Sequence, residues 1–157
     1  MPEDMHSTDK IQAKTEGAIA YLLLNKPAKL NALDDEMLLD IERCFAEWER
    51  TPAMAVAVLG STSERAFCVG ADIEVLSRMN EESMQAWELL GNRVLDRIQS
   101  SPLVSVACIP GPALGGGLTL AAACDSLACR WCGVAMNTAP ISLRATSDST
   151  EVSRARP

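Results

Sequence analysis

The sequence has few of the basic side chains that nucleic-acid-binding proteins need, and only one histidine. It carries 14 Lys and Arg against 21 Asp and Glu in 157 residues, a formal net charge of −7 at pH 7. Binding to phosphates needs basic side chains concentrated on one face, so this balance argues against nucleic acid as the main partner. The single histidine, His6, lies in a polar stretch, which leaves no credible Ser-His-Asp triad.

An uninterrupted hydrophobic run is also missing. The longest apolar stretch, residues 103–124, is broken by two prolines and four glycines, so it cannot form one membrane-spanning helix. Residues 1–10 are acidic and polar, without the basic and then apolar order of a secretory signal. We therefore expect no membrane partner and a cytoplasmic location.

The six cysteines do not form a recognisable framework for disulfides or a metal. Most lie in apolar runs, and without a secretion signal we expect buried free thiols and no metal site. Cys129 and Cys132 form a C-x-x-C pair with Cys124 nearby, which leaves a metal or redox role as the alternative. A zinc site would need a fourth ligand, and His6 is far along the chain.

Glycine-rich nucleotide motifs are absent as well. The sequence has no G-x-G-x-x-G, which argues against dinucleotide binding, and no G-x-S-x-G nucleophile elbow. Gly111 and Gly116 have the spacing of a P-loop, but Gly117 and Leu118 stand where Lys and Ser or Thr would bind phosphate and magnesium.

What the sequence does contain is an alternation of apolar runs and amphipathic stretches, which predicts a parallel α/β fold. The length suits one domain with a substantial core. The apolar spacing of three and four predicts an amphipathic helix from the N-cap Asp34 to Trp48, and a long helix beginning at Asn80. Buried strands are predicted at residues 18–24, 54–59 and 103–109, and a short buried helix at residues 118–124.

The character of the chain changes after Ala128. The net charge is −9 over residues 1–128 and +2 over residues 129–157, and the last segment has no sustained periodicity. We therefore predict a polar N-terminal tail at 1–14, a domain at 15–128, and a divergent tail at 129–157 with little stable structure beyond about residue 135.

Two glycine-bearing loops are the candidate site. Gly70-Ala71-Asp72 and Gly115-Gly116-Gly117 each precede a predicted helix. Glycine lets backbone approach a ligand, and the first N–H groups of a helix have no internal acceptor, so two such loops facing one point could stabilise an oxyanion. The alternative is that the glycines only permit tight packing between strand and helix.

Three segments together resemble the enoyl-CoA hydratase/isomerase (crotonase) superfamily. They are residues 25–33 (NKPAKLNAL), 65–73 (RAFCVGADI) and 111–125 (GPALGGGLTLAAACD), in the family order, and the resemblance covers roughly residues 16–128. It implies a crotonase-like β-β-α spiral core that binds acyl-CoA thioesters as substrates, with no permanently bound cofactor, and that assembles into trimers or hexamers. It also implies that the chain takes part in fatty acid metabolism.

The resemblance also assigns site residues. The thioester oxygen would be held by the backbone N–H groups of Ala71 and Gly116. The stretch along coenzyme A would be Val69, Gly70, Ala71, Asp72, Ile73 and Glu74. Lys26 and Lys29 are candidates for the CoA phosphates, with surface lysines as the alternative. We expect Asp72 and Glu74 to cap or solvate a helix rather than to act as bases.

The sequence departs from the family at its acid and base. Thr119 occupies the position of the first hydratase glutamate, and its hydroxyl cannot exchange a proton as a carboxylate does. A Phe-Gly-x-Pro-Glu segment, which carries the second glutamate, is absent. Three hypotheses follow. The chain is an acyl-CoA-processing enzyme, an inactive acyl-CoA-binding fragment, or a plain α/β domain with tight glycine turns.

The family is about 100 residues longer, and its remaining part supplies the trimer helices. The abrupt change after Ala128 therefore suggests a truncated or frameshifted gene product. Without the missing helices, an apolar face is expected to stay exposed.

Overall fold

The computed structural model describes residues 3–4, 7–129 and 135–137, of which 3–4 and 135–137 are described by their backbone alone. Within these residues, seven strands form one sheet, and their order in the sheet is their order in the chain. The strands are β1 (Glu3–Asp4), β2 (Ile11–Glu16), β3 (Ile19–Leu24), β4 (Val56–Ser61), β5 (Val104–Ile109), β6 (Ser126–Cys129) and β7 (Ala135–Asn137).

The four central strands confirm the predicted α/β architecture. Strands β3 to β6 are parallel, and each connection between them contains a helix. The expected strands at 18–24 and 103–109 begin one residue later than predicted, and β4 runs two residues beyond the expected end, so Gly60 and Ser61 belong to the strand. The helices are α1 (Asp35–Trp48), α2 (Ile73–Leu76), α3 (Glu81–Ser100) and α4 (Gly116–Ala122).

An antiparallel hairpin precedes the parallel strands, and we did not predict it. Strands β2 and β3 pair over six residues and are joined by Gly17, at φ 59°, and Ala18. Glycine first in a two-residue loop is the pattern of a type II′ turn, which matches the twist of the strands. Strand β2 includes residues 11–14, which we assigned to the polar N-terminal tail. Ile11 and Ala13 are buried there, so this part of the predicted tail belongs to the folded domain.

Helices α1 and α3 pack on one another and cover the core. Asp34 caps α1 by accepting a hydrogen bond from the Met37 N–H at 3.0 Å, and the stripe from Met37 to Trp48 is buried, as its spacing predicted. Asn80 and Ser83 form a reciprocal capping box at the start of α3. Each of these two helix starts therefore lies where the sequence placed it.

Helix α4 differs from its prediction. It begins inside the glycine triplet at Gly116, two residues earlier than expected, and ends at Ala122. Leu120 and Ala121 face the core, whereas Leu118 is 53% exposed, so the helix is buried on one side only. Even the 20-residue α3, the longest of the described helices, is too polar to span a bilayer.

None of the described cysteines forms a disulfide with another described cysteine. Cys44, Cys68 and Cys124 are buried, as expected, but Cys108 is exposed and Cys129 is partly exposed at the end of β6. Burial raises the pKa of the Cys44 and Cys124 thiols to about 12, so both stay protonated and behave as small apolar side chains. Cys132 and most of the predicted C-terminal tail lie outside the described residues, although β7 pairs antiparallel with β6.

Candidate active site

Two short bridges bring the candidate loops together. Leu33 pairs in parallel with Ala71, through hydrogen bonds from the Leu33 N–H to the Gly70 carbonyl (2.7 Å) and from the Asp72 N–H to the Leu33 carbonyl (2.8 Å). Cys68 pairs in the same way with Ala113. The segment at 68–72 is therefore held between the turn before α1 and the loop before α4.

Glycine is required where these segments touch. Gly70 has φ 99°, and a Cβ built on it would lie 3.1 Å from the Leu114 carbonyl oxygen. A Cβ on Gly117 would lie 2.2 Å from the Cys68 carbonyl oxygen, which no real side chain could do without moving the backbone. The interpretation that the glycines permit tight packing is thus correct for Gly117. It does not explain Gly116, where a Cβ would make only ordinary contacts.

Ala71 and Gly116 each present a backbone N–H without a protein acceptor among the described residues. In a parallel bridge the residues on either side of Ala71 make the hydrogen bonds, so its own N–H points away from Leu33. The N–H of Gly116 is at the first position of α4, where no preceding turn supplies a carbonyl.

These two N–H groups lie close together. A Cβ built on Gly116 would be 4.0 Å from the Ala71 nitrogen, and a Cβ built on Gly70 would be 3.3 Å from the Gly116 nitrogen. The structure thus brings together two donors that are 45 residues apart in the sequence. Such a pair can donate two hydrogen bonds to one oxygen atom.

A mainly apolar cavity of about 290 Å³ opens beside Gly116, between α1, α3 and α4. Its size suits a small acyl group rather than a whole nucleotide, because sites for drug-sized ligands begin at about 300 Å³. Thr119 lines it together with Glu88 and Asn92 of α3. The apolar wall consists of Leu33, Leu38, Trp87, Val94, Leu95 and Leu120.

Thr119, the residue at the position of the first hydratase glutamate, lines this cavity. Its hydroxyl is exposed and donates a hydrogen bond to the Gly115 carbonyl oxygen at 3.2 Å. That bond is the ordinary backbone contact of a threonine in a helix. It leaves the oxygen of the hydroxyl free to accept, so Thr119 can orient a polar group but cannot supply a carboxylate.

Asp72 is a buried ion-pair partner, not an exposed loop carboxylate. It caps α2 by accepting from the Glu74 N–H, and it bonds the ammonium groups of Lys26 at 2.8 Å and Lys29 at 3.1 Å. The hydrogen bond from Lys26 is the largest cause that lowers the pKa of Asp72 to about 2. Asp72 is therefore ionised and held in place, which agrees with the expected capping role.

Lys26 fits neither interpretation of the two lysines, whereas Lys29 is the surface lysine of the alternative. Lys26 is only 16% exposed and connects Asp34 (2.7 Å) to Asp72, so it is neither a surface lysine nor open to a phosphate. Lys29 is 40% exposed and pairs with Asp72 and with Glu74 at 2.7 Å. Sequence reasoning missed this network because Lys26 and Asp72 are 46 residues apart.

The rest of the predicted CoA-binding stretch is dispersed. Val69 is half-buried and its N–H donates to the Leu30 carbonyl at 3.2 Å, while Ile73 is 80% exposed at the start of α2. Glu74 points to solvent and pairs with Lys29. None of these three side chains lines the cavity beside Gly116.

Sequence reasoning also missed Asn31, which organises the turn before α1. Asn31 is fully buried at φ 57°, in the left-handed region that asparagine tolerates. Its amide donates to Ser61 Oγ at 2.8 Å and to the Phe67 carbonyl at 2.9 Å. Asparagine just after the turn at Pro27–Lys29 was the available signal, since Asn is favoured where φ is positive.

The comparisons identify the family. A family model described as enoyl-CoA hydratase/isomerase matches residues 14–133, so the chain belongs to that family. The short-chain-enoyl-CoA hydratase of Clostridium acetobutylicum is 33% identical over 110 residues, 70% of this chain and 42% of the relative. The ethylmalonyl-CoA decarboxylase of Xenopus laevis is 35% identical over 116 residues, 72% of this chain and 38% of the relative.

Solved structures show the same fold. The enoyl-CoA hydratase/carnithine racemase of Magnetospirillum magneticum superposes with a TM-score of 0.74 at 37% identity, over 78% of this chain and 47% of that one. The enoyl-CoA hydratase of Thermoplasma volcanium gives 0.72 at 30% identity, over 78% and 48%. The fold is thus crotonase-like α/β, and the chain spans less than half the length of these relatives.

Proposed function

We propose that this chain binds an acyl-CoA thioester and stabilises negative charge on the thioester oxygen through the N–H groups of Ala71 and Gly116. The observation that carries the proposal is this pair of neighbouring N–H groups without a described acceptor, one of which, that of Gly116, belongs to a residue lining an apolar cavity. Hydration, isomerisation and thioester hydrolysis all pass through an enolate or a tetrahedral oxyanion. Donors placed in advance stabilise such charge without reorganisation.

Family membership supports this substrate class. The two relatives named above act, by their names, on enoyl-CoA or ethylmalonyl-CoA, which share the CoA thioester and differ in the acyl reaction. A shared thioester contact with a different acid and base in each enzyme would account for that range. No permanently bound cofactor is part of the proposal, and coenzyme A enters as a portion of the substrate. A cytoplasmic place in fatty acid metabolism remains part of it as a family expectation.

Binding without turnover is the second candidate. Its supporting observation is that Thr119, at the position of a hydratase glutamate, is a hydroxyl hydrogen-bonded to the Gly115 carbonyl. Such a chain would bind acyl-CoA yet fail to hydrate it. Hydration of crotonyl-CoA, followed by loss of the enoyl absorbance, separates the two candidates.

The variant Gly116→Ala tests the proposed oxyanion contact. Its methyl group would lie 3.6 Å from Leu33 Cδ1 and 4.0 Å from the Ala71 nitrogen, so it fits the fold but occupies space beside the two donors. We expect butyryl-CoA to bind the wild-type chain more tightly than free CoA, and Gly116→Ala to lose most of that preference. Where turnover occurs, impaired contact with one donor should lower it by up to about 10²-fold.

The control is Ala122→Val, which adds bulk on the exposed side of the same helix, away from the cavity. Titration calorimetry with butyryl-CoA and CoA, with circular dichroism as a check of folding, gives the comparison. Equal affinity of the wild-type chain for CoA and butyryl-CoA would overturn the proposed thioester contact.

A further inference from the structure

The cavity beside Gly116 contains a carboxylate that sequence reasoning did not consider. Among the described residues that line it, Glu88 is the only one with an ionisable side chain. Glu88 is exposed on α3, so its carboxylate can reach a bound molecule without first breaking a buried ion pair. No ion pair involving Glu88 is formed with another described residue.

The helix directs Glu88 at the same space as Gly116. Glu88, Gly91, Asn92 and Leu95 are three, four and seven residues apart, so they share one face of α3. Gly91 removes a side chain from the middle of that face, and a Cβ built there would meet no atom within 4 Å. The face therefore has an open gap, with the carboxylate at one end and the Asn92 amide one turn further along.

The other described carboxylates near the two loops form ion pairs with lysines. Asp72 is buried against Lys26 and Lys29, and Glu74 is paired with Lys29. Asp34 caps α1 and bonds Lys26. None of these three lines the cavity, so among the described residues the carboxylate available to a group bound there is Glu88 of α3.

We propose that Glu88 is the general base, and in the return step the general acid, for proton transfer at the carbon next to the thioester carbonyl. This inference rests on the proposed function, because it places the thioester oxygen on the Ala71 and Gly116 N–H groups. The reaction would be enolisation of an acyl-CoA. Thr119 could not catalyse it, because a hydroxyl cannot take up the proton as a carboxylate does.

The step balances without another reactant. The Glu88 carboxylate takes the α-proton, so the C–H bond breaks and an O–H bond forms on the carboxyl group. The electron pair of the broken bond forms the C=C bond of the enolate, and the carbonyl π electrons move to the oxygen between the two N–H donors. The proton then returns to the same carbon, or, in an unsaturated acyl chain, to a carbon two positions further on.

Exchange of the α-protons of butyryl-CoA in D₂O tests the proposal, because exchange needs enolisation but no hydration. The wild-type 157-residue chain should exchange them, and Glu88→Gln should be slower by about 10²-fold or more, the usual contribution of a positioned base. Glu88→Asp should recover part of the rate.

The matched control is Glu82→Gln, the same chemical change on an exposed residue of α3 outside the cavity. It should exchange at the wild-type rate. The Kd for butyryl-CoA, measured for every variant, should be unchanged by Glu88→Gln, which separates a catalytic loss from a loss of binding or folding.

Two results would overturn the inference and leave the proposed thioester contact standing. One is exchange by Glu88→Gln at the wild-type rate, and the other is tight binding of butyryl-CoA by the wild-type chain with no exchange. Failure of the wild-type chain to prefer butyryl-CoA over CoA would instead overturn the proposed function, and Glu88 with it.

Discussion

Asp72 joins the candidate loop to the turn before α1 through charge. Its carboxylate is 5% exposed and accepts from Lys26 and Lys29, while Lys26 also bonds Asp34 and the Ala32 carbonyl. Burial would raise the pKa of Asp34, but hydrogen bonds from Lys26 and Lys10 outweigh it and hold that pKa below its ordinary value. The network thus holds the backbone on either side of the bridge between Leu33 and Ala71 in one arrangement.

We expect Asp72→Asn to destabilise the chain by about 2 kcal/mol at pH 7, since a shift of one pKa unit corresponds to about 1.4 kcal/mol. The pKa of Asp72 is lowered from 3.8 to about 2, so its contribution is complete above pH 4 and is lost as the pH falls through 2. Urea unfolding of both chains at several pH values measures the difference in free energy.

The wild-type advantage over Asp72→Asn should therefore shrink between pH 4 and pH 2. A suitable control is Asp35→Asn, an exposed carboxylate of α1 with no ion pair in this network. A difference in unfolding free energy that stays constant down to pH 2 would show that the charge of Asp72 contributes nothing.

Helix α3 carries one wall of the cavity, so its start bears on the candidate site. Asn80 Oδ1 accepts from the Ser83 N–H at 2.9 Å, and Ser83 Oγ accepts from the Asn80 N–H at 2.9 Å. Further along, Arg93 pairs with Glu42 of α1 and Arg97 with Glu49, the residue that follows α1, which joins the two helices. These pairs are exposed or half-exposed and each contributes little to stability.

We expect Asn80→Ala to lower the free energy of unfolding by about 1 kcal/mol, because the N–H groups of the first turn lose an acceptor. The control is Gln85→Ala, an exposed position inside the same helix, which should change stability little because alanine favours a helix. Urea unfolding followed by circular dichroism measures both. Equal midpoints for Asn80→Ala and the wild-type chain would contradict the prediction.

The elements differ in how well the sequence predicts them. Helices α1 and α3 have a strong apolar stripe and a capping residue, so local preference and packing agree on their position. Strand β2 has the alternation of a half-buried strand, but its buried residues are Ile11, Ala13 and Thr15, and the last two contrast weakly with their polar neighbours. Its turn lacks the Asn-Gly or Asp-Gly pair that signals a hairpin most strongly.

At the scale of the whole molecule, the described structure leaves several large apolar side chains exposed, most of them near the two joined loops. Ile73 is 80% exposed, Leu114 55% and Leu118 53%, and Leu89 on α3 is 62% exposed. Single exposed leucines are ordinary in proteins, but three at or beside two adjoining loops make a surface that an apolar probe can bind.

We expect the chain to bind a hydrophobic dye in its native state, and the double variant Leu114→Ser, Leu118→Ser to bind markedly less. Dye fluorescence, with sedimentation to establish the species present, measures this. Ala86→Ser, an exposed position on α3, serves as the control. A compact monomer that leaves the dye unbound would show this expectation to be wrong.

The amino-acid sequence by itself determined the main helices, the parallel strands and the family. The helices and strands follow from the spacing of apolar side chains and from helix caps, both of which act within a few residues. The family follows from three segments that occur in the same order as in the enoyl-CoA hydratase/isomerase family. The two glycine loops could be named as candidates for the same reason, since glycine marks where backbone must approach backbone.

Only the tertiary structure decided how those loops work together. Neither the direction of the Ala71 N–H, nor the role of Lys26, nor the presence of Glu88 beside Gly116 can be read from residues close in sequence. Each depends on contacts between segments that are more than 25 residues apart, and those contacts form only when the core brings the segments together. Local rules specify elements, whereas packing of the whole chain specifies which of their groups meet.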